Sequence, residues 1–190
     1  AGTTPMHRRH DALVAAARLI DRVRRLAQDH AARGGGYFVA TTGVIEARPN
    51  ASNVIPGTAR LVIDARAESR PLMLDFLERL DAESLALALE ARVTRTRCER
   101  LSDTSPSACD PSLRELLRAS AARLGLSSTD IASGAGHDTA FLAQIAPAAM
   151  VFIPCKAGMS HCPEEWSEPE QVAAGASVIF DALLAFDRGN

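Results

Sequence analysis

Apolar residues recur at three- and four-residue spacing at Leu13, Ala17, Ile20, Val23 and Ala27. That spacing predicts a helix with one stripe toward a core and an arginine-rich, solvated opposite face. Pro5 suits its first turn, and Arg33–Gly36 ends it, because glycine takes the left-handed backbone that a helix C-terminus needs. The period then shortens to two. Tyr37–Ala47 is rich in β-branched and aromatic residues and Leu61–Arg66 alternates, so two strands are predicted on either side of a turn-rich link at Arg48–Gly57. In the second strand Leu61, Ile63 and Ala65 share one face, and Val62, Asp64 and Arg66 share the other. Pro71 opens a second helix with Leu72, Phe76, Leu77 and Leu80 inward, and Val93, Thr94 and Thr96 predict a third strand over Ala91–Leu101.

Helix, strand, strand, helix, strand is the split β-α-β-β-α-β order without its first strand. Ser102–Pro106 is a composition shift that marks a domain boundary, dividing the chain into 1–101 and 102–190. Beyond it, Asp110-Pro-Ser opens a helix through Leu124 that Gly125 closes, and the turn Ser133–Asp138 leads into a short helix over Thr139–Gln144. Met150–Ile153 reads as a buried strand. A last helix from Pro169 carries Val172, Ala176, Ile179, Phe180 and Leu183 as its predicted core-facing stripe. The expected class is α/β in the broad sense (α+β), in two domains.

Composition narrows the functions. With 190 residues and 47% hydrophobic positions the chain can bury a real core. A net charge of −2 with both signs interspersed leaves no basic patch, so nucleic acid is not the expected partner. No apolar run is read as the roughly 20 residues of a membrane span, and a cytoplasmic location is the expectation. Cys98, Cys109, Cys155 and Cys162 lack metal-type or scaffold spacing and are read as free thiols.

Chemistry concentrates in Ser133-Gly-Ala-Gly-His-Asp138 and Gly158-Met-Ser-His-Cys-Pro-Glu-Glu165. His161 lies among small and turn-forming residues just past a predicted strand, which is either a surface-loop histidine or an imidazole free to bind a metal in a cleft. The two glycines of the first motif let backbone approach a ligand, or make a plain turn capped by Asp138. Arg66 is either a solvated strand residue or a cleft-facing guanidinium, whose fork matches the two oxygens of a carboxylate.

These two motifs, with Ala1-Gly-Thr-Thr-Pro-Met6 and Asn53-Val-Ile-Pro-Gly57, resemble the zinc-dependent amidases of the M20 metallopeptidase group, which hydrolyse N-carbamoyl-L-amino acids, allantoate and related ureido compounds. The resemblance covers essentially the whole chain and implies a C-terminal portion. Residues 1–101 would be an incomplete ferredoxin-like lid through which two copies dimerise, and 102–190 part of the α/β metallohydrolase catalytic domain. It implies that His161 is one ligand of a two-zinc site (manganese, cobalt or nickel being the other candidates), and that Asn53 and Arg66 hold the substrate carboxylate. Gly136, His137 and Ser160 would lie near substrate, while Glu165 would orient the loop or the imidazole, or else stand as a solvated carboxylate at a helix start. The general base and a carbonyl-polarising histidine would precede Ala1, so no catalytic residue is expected in this chain and it should be inactive alone. The alternatives are a non-catalytic lid and dimerisation fragment, or an M20 aminoacylase or dipeptidase.

Overall fold

Asp11 starts the first helix. Its Oδ1 accepts the amides of Leu13 and Val14 at 3.1 and 3.2 Å, satisfying donors that a helix start leaves open, and α1 runs Ala12–Ala32. The expected start at Pro5 is instead a 3-10 turn, Met6–Arg8, because Asp11 supplies the stronger cap further on. The predicted stripe is also rotated: Ala16, Val23, Leu26, Ala27 and His30 are buried, while Leu13 and Ala17 are exposed. The computed structural model describes residues 1–189. Two compact units result, Ala1–Pro106 with Ala132–Gly134, and Ser107–Ile131 with Ala135–Asn190.

In the first unit β1, Phe38–Arg48, pairs antiparallel with β2, Thr58–Ala67, from Phe38↔Ala67 to Arg48↔Thr58. The register steps from Thr42↔Ile63 to Val44↔Val62, leaving Gly43 as the extra residue of a bulge. α2 follows at Arg70–Glu90 with Pro71 in its first turn. Val23, Leu26 and Ala27 of α1, Phe38 of β1 and Phe76 of α2 form the core, with Ile63, Ala65 and Ala67 of β2 packed against it. Period two therefore leaves Asp64 and Arg66 on the uncovered face, both exposed.

The third strand is not formed. Residues 93–101 keep alternate burial at Val93 and Arg95, and Arg95 Nη1 donates to Asp81 Oδ1 and Ser84 Oγ of α2 at 2.6 Å each. Among the described residues, however, the sheet is two-stranded, β1–β2. A strand is defined by the ladder it shares, and an alternating sequence without a neighbour to pair with stays irregular. The ferredoxin-like order is thus observed only as helix, strand, strand, helix.

In the second unit Asp110 caps α3, Pro111–Arg123, by accepting the amides of Ser112 and Leu113 at 2.9 Å each. α4 is a single turn, Thr139–Leu142. Asp138 does not cap it with its side chain, because it already has helical backbone angles (φ −58°, ψ −27°) and cannot reach back to the free amides. Residues 150–153 form no strand, again for want of a ladder partner among the described residues.

α5, Pro169–Gly189, packs on α3 through a face the sequence did not single out. Gly175, Val178 and Ala182 are buried there, opposite buried Ser120 and Ala121 of α3, while the predicted stripe of Val172, Ala176, Ile179, Phe180 and Leu183 is exposed. Helices approach closely where side chains are small, so the small residues, not the large ones, took the contact. Asp181 beside that face pairs with Arg123 of α3, Nε to Oδ2 3.0 Å. Pro169–Arg188 is also long and apolar enough by length and composition to span a bilayer, at a mean hydropathy of 1.2, which corrects the reading that no run approaches that length.

Candidate functional site

Arg66 stands near the open end of the β1–β2 hairpin, paired with Val39 across the ladder. Its Nε and Nη2 both donate to Asp64 Oδ2, at 2.9 and 2.8 Å, and its Nη1 donates to the carbonyl oxygen of Gly134 at 2.8 Å. Asp64 is its neighbour because residues two apart on a strand share a face. The Asp64 carboxylate raises the Arg66 pKa above the ordinary value, first by hydrogen bonding and then by charge, so the guanidinium is a fixed cation. Tyr37 closes the other side of Gly134: a Cβ added there would meet the Tyr37 hydroxyl at 2.5 Å, so only glycine fits under the ring. Tyr37 is itself anchored by Glu68, whose Oε2 accepts the Tyr37 amide while the Glu68 amide donates to the Tyr37 carbonyl, both at 2.8 Å.

Asn53 lies at the opposite end, in the hairpin loop. Its carbonyl accepts a hydrogen bond from Ala1 N at 2.8 Å, and Ala12 N donates to Pro56 O nearby at 3.1 Å, which brings the Ala1–Met6 and Asn53–Gly57 motifs together. From Thr58 to Arg66, β2 extends roughly 26 Å at about 3.3 Å per residue. Asn53 itself precedes Thr58, the first residue of β2, by five positions, in the loop that joins the two strands.

Gly136, in the part of the Ser133–Asp138 turn that belongs to the second unit, is exposed, and a Cβ there would meet nothing within 4 Å. The His137 ring is half-buried and packs edge-on against Phe152 with centroids 5.5 Å apart. The loop of Ser160, His161 and Glu165 is built around one carboxylate. Glu165 Oε2 accepts the His161 backbone amide at 2.8 Å, and Glu165 Oε1 accepts the Ser160 hydroxyl at 3.4 Å. His161 has φ of +59°, a left-handed backbone uncommon outside glycine and associated with functional loops. Glu165 stabilises that turn by holding its amide, so in this structure it orients the loop backbone and not the imidazole. The histidine side chain is left exposed.

A metal needs more than His161 offers. Zinc takes about four ligands, and among the described residues no group of three His, Cys, Asp or Glu side chains is arranged to hold an ion. The donor set of this chain does not by itself fit a metal centre; His161 is one donor.

Asp64 and Tyr37 are the site neighbours that sequence reasoning did not single out. Asp64 had a signal, the alternation that put it on the face of Arg66; Tyr37 had none, since only the fold brings residue 134 against residue 37.

Residues 26–185 match the peptidase family M20/M25/M40. The chain is 35% identical to the N-carbamoyl-L-amino-acid amidohydrolase of Paenarthrobacter aurescens, over 99% of this chain and 44% of that protein. It is 31% identical to the ureidoglycolate hydrolase of Oryza sativa subsp. japonica, over 96% of this chain and 37% of that protein. Among solved structures, a hydantoinase/carbamoylase family amidase from Burkholderia multivorans superposes with a TM-score of 0.88 at 38% identity, covering 97% of this chain and 44% of that one. The chain thus spans less than half the length of these relatives. Its mixed helix and strand fold is that of the M20 amidohydrolases, and the chain belongs to the peptidase family M20/M25/M40.

Proposed function

We propose that this chain is the C-terminal portion of an amidohydrolase that cleaves the carbamoyl or ureido C–N bond of N-carbamoyl-L-amino acids or related ureido acids. The observation that carries it is Arg66, a charged guanidinium on an open sheet face, held on one edge by Asp64 and already bonded to an oxygen acceptor at Nη1. Such a group binds the free carboxylate that all these substrates share. Support for the reaction class comes from relatives named for it, whose lengths the chain covers only in part.

In this reading Arg66 fixes the acid end of the substrate. Asn53 joins Arg66 on that carboxylate, Gly136, His137 and Ser160 lie near substrate, and Glu165 holds the backbone of the His161 loop. His161 would be one ligand of a metal, zinc first, with the remaining donors supplied by the part of the parent enzyme that this chain does not span. Residues 1–101 would serve as lid and dimer contact, and 102–190 as the catalytic-domain part.

The test is ammonia release from N-carbamoyl-L-amino acids, comparing the 190-residue chain with the same chain joined to the N-terminal portion of a carbamoylase relative. The joined enzyme should turn over and the chain alone should not. In the joined enzyme R66K should raise KM about tenfold or more, since an ammonium cannot bond both Asp64 and a carboxylate in one plane. Wild-type kinetics for both R66K and R66A would overturn the carboxylate assignment.

A further inference from the structure

An arginine on a strand surface has about four rotatable side-chain bonds, and freezing them is a cost that binding must meet. Arg66 has met it in advance. Both hydrogens of its Nε–Nη2 edge converge on one oxygen, Asp64 Oδ2, at 2.9 and 2.8 Å, and the opposite corner, Nη1, is left aimed at an oxygen 2.8 Å away, the Gly134 carbonyl. The ion pair does not explain itself by stability: Asp64 and Arg66 side chains are 61% and 49% exposed, a setting in which such pairs contribute little. Its consequence is geometric. Gly134 in turn has no freedom to retreat toward Tyr37, whose hydroxyl occupies the space beside it.

We propose that Asp64 is a positioning residue for carboxylate recognition: it pins one edge of the Arg66 guanidinium so that Nη1 and the remaining Nη2 hydrogen meet an incoming carboxylate, which replaces the Gly134 carbonyl on Nη1. The inference rests on the reading of Arg66 as the carboxylate binder. Asp64 touches no substrate. Its negative charge lies beside the bound carboxylate, so a residue there that acted only by charge would weaken binding, whereas a positioning residue strengthens it.

The experiment is an NMR titration of the full 190-residue chain with N-carbamoyl-L-alanine and with its methyl ester, following the Arg66 Nε–H resonance and the amide of Gly134. Wild type should bind the acid and scarcely the ester. D64A should weaken acid binding about two- to tenfold, the cost of ordering one long side chain at binding. D64N, which keeps an acceptor oxygen, should recover part of the loss, and the weak ester binding should be unchanged in both. Amide spectra of D64A should otherwise superpose on wild type. If R66A binds the acid as well as wild type, or wild type binds none, the reading of Arg66 fails and this inference with it. If R66A loses the acid while D64A binds it equally or more tightly, the carboxylate reading stands and the role given to Asp64 is overturned.

Discussion

His30 Nε2 stands 2.8 Å from Asp75 Oδ2 and His30 Nδ1 stands 2.7 Å from the Leu26 carbonyl oxygen, so a ring only 2% exposed meets an acceptor at each nitrogen. The same ring packs against Phe38, centroids 4.9 Å apart, and edge-on against Phe76 at 5.7 Å. It ties α1 to α2 at the centre of the first unit, beside the end of the hairpin that carries Arg66.

Replacing His30 by alanine should cost about 2–4 kcal/mol, since it opens a cavity between two phenyl rings and removes both hydrogen bonds. Asp75→Asn should cost only about 1 kcal/mol, because an acceptor oxygen remains and Asp75 is 53% exposed. Urea unfolding of the three proteins checks the order; an H30A protein as stable as wild type would contradict it.

Acid should act on the start of α2. Arg70 and then Arg100 hold the Asp103 carboxyl down at about 2, from an ordinary 3.8. A carboxylate whose folded-state pKa is depressed stabilises the fold above its unfolded value and loses that contribution as pH falls through the folded one. The difference in melting midpoint between wild type and D103N should therefore be constant above about pH 4 and close between pH 4 and 2. A gap that persists unchanged at pH 2 would show that Asp103 acts through packing alone.

The two faces of α5 should respond in opposite ways. Gly175→Ala would put a methyl 2.5 Å from Ile153 Cγ2, and overpacking of this kind costs about 1–3 kcal/mol. Phe180→Ser on the exposed face, where the ring is 63% exposed, should leave stability within about 0.5 kcal/mol and raise solubility. Equal destabilisation by both, measured by thermal unfolding, would mean that the exposed face is also packed in solution.

Consecutive residues alone place α1, α2, α3 and α5, and the hairpin between the first two, to within a few residues except at the start of α1. Local chemistry is sufficient for that: Asp110 and Pro71 start helices, Gly125 at φ +70° ends one, and the switch from period four to period two marks the strands. It also placed Asp64 and Arg66 on one face, because alternation is a property of consecutive residues. Which elements found partners was settled by contacts distant in the chain. Residues 93–101 and 150–153 have strand-like sequences but no ladder, since a strand's hydrogen bonds belong to two chain segments and one sequence window contains only half of them. The buried face of α5 was likewise set by what α3 offered, two small residues that admit Gly175, Val178 and Ala182 and leave the larger apolar stripe outside. The site followed the same rule: local sequence joined Glu165 to the His161 turn and Asp64 to Arg66, while the fold alone carried Gly134 against Tyr37.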